Sequence, residues 1–137
     1  MTNSTISKGF IAAGLMNTVG LLIFSKGFTN EVIPATDPNV MSYFGLIMIT
    51  VWGLGYIAVA KTFMKVKWLI GVFVIEKLAY VIAYIIWFSN HQLSDVYDQD
   101  LLAGIFYTLY GWNDFIFMIF FAYVFFKIKP SPETPVR

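Results

Sequence analysis

Apolar residues run in long blocks along this chain, and polar residues gather between the blocks. Four blocks stand out, at residues 9–28, 40–60, 68–88 and 101–126. Each is about 20 residues or longer, which matches a hydrocarbon core about 30 Å thick crossed at about 1.5 Å per residue. The apolar positions do not alternate with period two, so a transmembrane barrel is not expected. A helix satisfies its own backbone groups in lipid, and the pattern therefore predicts an all-α, polytopic integral membrane protein. Its expected form is a four-transmembrane-helix bundle, one domain over residues 1–129, followed by a disordered cytoplasmic tail at 130–137. Pro34, Pro38, Pro130, Pro132 and Pro135 all lie outside the blocks, so no span needs a proline kink. The first block follows Lys8 in the manner of a signal peptide. It is too long for such an apolar region and lacks a small-residue cleavage site, so it is expected to remain as a span.

Composition supports this reading. Charged residues make up 12% of the chain, against about 25% in soluble domains, too few to cover a water-facing surface. The distribution of those charges predicts an orientation. Lys8 precedes the first span, Lys61, Lys65 and Lys67 occupy the second loop, and Lys127, Lys129 and Arg137 follow the last span. The third loop, residues 89–100, has no Lys or Arg and carries Asp95, Asp98 and Asp100, while Lys26 is the one basic residue near the first loop. By the positive-inside rule both termini and the second loop face the cytoplasm, placing the protein in the cytoplasmic (inner) membrane. Trp68 and Trp87 bracket the third span as interfacial anchors would.

The candidate chemistry lies at mid-membrane. Glu76 and Lys77 sit near the centre of the third span, and Asn113 and Asp114 near the centre of the fourth. Asn17 and Thr18 in the first span and Thr50 in the second bring milder polar groups to similar depth. Two ionised groups at the centre of the third span cost about as much as its Leu, Ile, Val and Phe residues offset, on the order of 4–7 kcal/mol. That helix therefore needs internal partners. A 12-residue loop joins the third and fourth spans, so they are expected to be antiparallel neighbours. The sequence predicts a Lys77–Asp114 ion pair lined by Tyr80, Tyr84, Tyr107 and Tyr110. Glu76 would be a third ionisable group, competing for Lys77 or held protonated. Intramembrane charges default to functional candidates. The plainer reading is a structural pair that fixes helix register, with Glu76 facing a subunit interface.

Other signals are weaker. Small residues recur in the first span at Gly9, Ala13, Gly14 and Gly20 and in the second at Gly45, Gly53 and Gly55, as close helix packing requires. His91 with Asp95, Asp98 and Asp100 lacks the spacing of a calcium loop, so no metal site is assigned. The chain has no cysteine and a single histidine, which excludes disulfides, thiolate metal sites and a haem held by two histidines of one chain. No catalytic triad is credible, and no catalytic residue or cofactor is assigned. A net charge of +1 offers nothing to draw nucleic acid.

The layout resembles that of small bacterial four-helix membrane proteins of the DoxX-like kind. The features that carry the resemblance are the overall length, the run Gly53, Leu54, Gly55, Tyr56 before a basic loop, the single Lys77 in span three, and Asp114 in span four. It implies a four-helix topology and, for some members, association with redox or oxidase systems. Three functions follow as expectations. The first is binding or conducting a small or lipophilic ligand, or a proton, through the Lys77–Asp114–Glu76 layer, with Asn17 and Asn113 beside it. The second is an accessory subunit of a larger membrane complex. The third is an intramembrane enzyme acting on a lipid-like substrate, which no motif favours. The expected surroundings are the lipid bilayer and either further copies of the chain or a larger membrane complex.

Overall fold

A computed structural model describes residues 1–129. The tail expected to be disordered lies outside them. All regular structure among the described residues is helical. Helix α1 spans Asn3–Phe24, α2 Val32–Thr36, α3 Tyr43–Val59, α4 Lys67–Asn90, α5 Leu93–Gln99 and α6 Leu101–Lys127. Three of these, α1, α4 and α6, are long and apolar enough to cross a membrane. With 17 residues, α3 is shorter, about 26 Å along its axis.

The helix boundaries follow local chemistry. Thr2 caps α1 by accepting a hydrogen bond from the backbone N–H of Thr5, Ser42 caps α3 through Gly45, and Asp100 caps α6 through Ala103. The first span therefore starts at Asn3 and not at residue 9, because the cap at Thr2 extends the helix through a polar turn. It stops at Phe24, where Lys26, Gly27 and Phe28 adopt positive φ in succession. The backbone N–H of Gly27 closes that turn on the carbonyl of Leu22 at 2.8 Å. The second span loses residues 40–42 to the loop that precedes Ser42. The third and fourth spans run slightly past their expected ends. Two loops contain short helices that the apolar pattern did not predict, α2 and α5, each anchored by one buried residue, Ile33 and Val96.

The bundle is built from two pairs. In the first, α1 lies against α3, where a Cβ on Gly14 would come within 2.6 Å of the Gly53 carbonyl oxygen. A Cβ on Gly53 would lie 2.9 Å from the Gly14 carbonyl. These two glycines let the backbones touch, as the small-residue pattern predicted. Gly20 and Gly55 play no such part, having ordinary or open surroundings. In the second pair, α4 and α6 are antiparallel neighbours, with the Tyr84 ring seated on Gly111. Within α1, residues Met16–Gly20 form a π-helical turn, which shifts the register of the helix face in the absence of proline.

Two aromatic cores fill the interior. One, near the chain ends and the second loop, gathers Phe10, Tyr56, Phe63, Phe73 and Phe121. The other, near the first and third loops, gathers Leu21, Ile33, Met41, Trp87, Phe106 and Tyr107. Trp87, expected at the membrane interface, is only 4% exposed. It stacks on Tyr107 and His91 at centroid distances of 4.4 and 5.2 Å, beneath the short helices. Trp68, by contrast, is 77% exposed.

The two ends of the bundle carry opposite charge. Lys8, Lys61, Lys65, Lys67, Lys127 and Lys129 lie at one end, where Lys67 donates to the Ile128 carbonyl at 2.7 Å. Glu31, Asp37, Asp95, Asp98 and Asp100 lie at the other. There Asp100 joins the two pairs: it accepts from Lys26 and from Asn30 (2.8 Å) while capping α6. The Lys26 ammonium, the Ala103 amide and the Asn30 side chain hold the Asp100 carboxyl down at about 2, against an ordinary 3.8. A depressed carboxylate contributes stability that is complete above about pH 4 and is lost as the pH falls through about 2. Asp100→Asn keeps a capping oxygen and is expected to lose about 0.5–1 kcal/mol at pH 7, the range of a partly exposed ion pair. Thermal unfolding in detergent should show this deficit at pH 7 and its disappearance near pH 2. An equal deficit at both pH values would contradict the assignment.

Candidate functional site

Between the two aromatic cores lies a layer of polar side chains. Lys77 on α4 is 1% exposed, and its Nζ donates to Asp114 Oδ1 on α6 at 2.6 Å. This is the contact that equal depth on antiparallel neighbours predicts. The same ammonium donates to Asn17 Oδ1 at 3.4 Å and lies 5.2 Å from the Tyr56 ring centroid. Asn17 sits in the π turn of α1, and its amide also donates to the Ile49 carbonyl on α3 at 3.3 Å. The wider helical turn exposes Asn17 to partners on two other helices at once. Asn113 donates to Asp114 Oδ1 at 3.4 Å. Lys77 thereby ties α4 to α6 directly and to α1 and α3 through Asn17.

Glu76 does not pair closely with Lys77. Its Oε1 stands 4.0 Å from Lys77 Nζ, and its Oε2 accepts a hydrogen bond from the Tyr56 hydroxyl. Oε1 is buried and has no hydrogen-bond partner, and neither does the hydroxyl of Tyr110. Buried polar atoms are normally paired, so each such exception calls for an explanation.

Among the described residues a third buried atom, Trp87 Nε1, is also unpaired and lies in the aromatic core near the third loop, whereas Glu76 and Tyr110 line one cavity. Its walls include Asn17, Glu76, Lys77, Tyr80, Tyr110, Asn113 and Asp114, with Met16, Phe24, Phe106 and Leu109 supplying apolar surface. Its volume is about 50 Å³, room for a few waters. Met16 and Leu109 are 39% and 42% exposed. They place the mouth of the cavity on the side of the bundle, between α1 and α6.

Two residues expected at the pair are elsewhere. Tyr84 packs on Gly111 and meets Tyr110 edge-on at 4.8 Å, away from the cavity wall. Tyr107 donates to the Ile33 carbonyl at 2.8 Å and holds α2 against the bundle. Each is seven positions from its charged neighbour, which keeps it on the same helix face but about 10 Å along the axis. Tyr56 is the site residue that sequence reasoning missed. It closes the run Gly53, Leu54, Gly55, Tyr56 before the basic loop, and it is fully buried. Its signal was a hydroxyl-bearing aromatic in a span otherwise poor in polar groups. Among the described residues no group of acidic, histidine or cysteine side chains could hold a metal ion. His91 instead bonds through Nδ1 to the Trp87 carbonyl at 3.0 Å.

No family model, curated protein or solved structure matches the chain.

Removing one member of a buried pair strands the other charge, whereas removing both often costs little. Lys77→Met is therefore expected to destabilise the fold by about 3–5 kcal/mol. The double variant Lys77→Met/Asp114→Leu should recover most of that loss. Unfolding in detergent measures both, and additive losses would show that the two residues are not coupled in the folded protein.

Proposed function

We propose that this chain is a multi-pass protein of the cytoplasmic membrane, with both termini on the cytoplasmic side. Its mid-bundle polar layer binds a small or lipophilic ligand, or handles a proton. The observation that carries the ligand reading is the side-opening cavity in which Lys77, Asp114, Glu76 and Asn17 converge from three helices. The membrane reading is supported by the three long apolar helices and the lysines gathered at one end. The DoxX-like layout of Gly53, Leu54, Gly55, Tyr56, Lys77 and Asp114 agrees with this topology and specifies no ligand.

The accessory-subunit reading is second. It is favoured by the open groove between α3 and α4, lined by Phe44, Met48, Trp52, Val72 and Ile75, where a further helix would fit. Lipid tails would suit the same surface, and for that reason the cavity carries the first reading.

Native mass spectrometry of the protein extracted in mild detergent from its own host separates the two. A discrete small-molecule adduct is expected on the wild type and not on Lys77→Met/Asp114→Leu, which removes the charges together and is expected to fold. A stoichiometric membrane-protein partner retained by both forms, with no adduct on either, would favour the accessory role and overturn the ligand reading.

The native chain has no cysteine, so orientation can be tested with single introduced thiols. In intact cells a membrane-impermeant maleimide should label Asp98→Cys at once and Lys61→Cys only after permeabilisation. The reverse pattern would invert the topology.

A further inference from the structure

The polar layer holds one base and two acids: Lys77, Asp114 and Glu76. The close contact between Lys77 and Asp114 neutralises one acid. Glu76 is left over, with one oxygen satisfied by Tyr56 and the other 4.0 Å from Lys77 Nζ with no hydrogen bond, in a residue only 8% exposed. A carboxylate in such surroundings is costly unless a positive charge or a proton accompanies it. Another unpaired polar atom, the Tyr110 hydroxyl, lies on a residue 7% exposed in the wall of the same cavity. The remaining wall is aromatic and aliphatic. Tyr80, Tyr110 and Phe106 supply its aromatic part, and aromatic surface suits organic cations.

Size and access limit the ligand further. About 50 Å³ accepts a primary ammonium group and little more. Glu76 and Tyr80 also line the separate groove between α3 and α4, while from this cavity an apolar tail leaves through the mouth, over Met16, Phe24 and Leu109. These residues lie on the face that the bilayer would cover. From this geometry we infer that the cavity is a site for an amphiphilic primary amine, its ammonium group beside Glu76 and Tyr110 and its hydrocarbon tail passing between α1 and α6 into the lipid. The inference rests on the ligand-binding reading above and names the class of ligand.

A proton on Glu76 would compete with the amine. The titratable groups facing Glu76 are Tyr56 from α3, Lys77 and Tyr80 from its own helix, and Asp114 and Tyr110 from α6. Of these, the acids alone can gain a proton on mild acidification, so amine binding should weaken as the pH falls.

The test uses the full chain in phosphatidylcholine nanodiscs, with octylamine and octanol as probes and empty nanodiscs as the partition control. One octylamine should bind saturably per chain, octanol should bind no more than to empty discs, and octylamine affinity should be lower at pH 5 than at pH 7. Glu76→Gln should weaken octylamine by at least about tenfold, as loss of a buried charge partner does, and Tyr110→Phe by less. Leu109→Trp, which narrows the mouth without touching a charge, should also weaken it, and it decides the matter if circular dichroism shows that Glu76→Gln does not fold. Equal binding of octanol, an unchanged Glu76→Gln, or no saturable octylamine would overturn the amine assignment. If octylamine fails while the host-derived adduct still depends on the polar layer, only the ligand class falls. If both are absent, the ligand-binding function falls with it.

Discussion

The architecture depends on one buried ion pair, Lys77 with Asp114. An ammonium held at 1% exposure is stable only where partners surround it, and here those partners come from three helices. Asp114 fixes the register of α6 against α4. Asn17 brings in α1, and its second hydrogen bond, to the Ile49 carbonyl, brings in α3. The π turn at Met16–Gly20 positions Asn17 to make both bonds. The two aromatic cores end on either side of this layer. In the bilayer proposed above, apolar packing alone would let the helices slide past one another, because lipid is as apolar as the side chains between them. The polar layer removes that freedom.

A device for register needs one acid and one base. The additional carboxylate of Glu76 is hard to account for in that way, because burying it adds a cost that the pair does not require. Tyr56 satisfies one of its oxygens and leaves the other free, beside a cavity whose wall also holds a free Tyr110 hydroxyl. Stability alone would favour an apolar residue at position 76. The excess acid and the cavity beside it both support the ligand-binding reading proposed above.

Much of this was legible in the sequence. Charge gaps located the helices, and equal depth on antiparallel neighbours located the Lys77–Asp114 contact. The misses have physical causes. Helical periodicity records direction around an axis and not height along it, so Tyr84 and Tyr107 shared a face with the charges while sitting about two turns away. Trp87 looked like an interfacial anchor because its span position suited one. It is buried instead, since α2 and α5 fold over that end, held by single apolar residues too isolated to show a period. Tyr56 was passed over because burial of one hydroxyl depends on which helix packs opposite, and that is tertiary information. The π turn gave no signal at all, being one widened turn inside a continuous apolar run.

The position of the cavity bears on which activity the layer can support. Along the bundle axis it is closed on one side by Phe10, Tyr56, Phe73 and Phe121 and on the other by Phe106, Tyr107 and Trp87. The acidic end is covered further by α2 and α5, with Asp100 tying the first loop to the start of α6. Conduction along the axis would require both aromatic clusters to part, and each ring there is locked by several others. The lateral mouth between α1 and α6 is lined instead by Met16 and Leu109, exposed side chains whose rotamers change quickly. On the membrane and ligand readings proposed above, entry from the side is therefore the route of lower resistance, and it favours a molecule that already resides in the bilayer over an ion arriving from water.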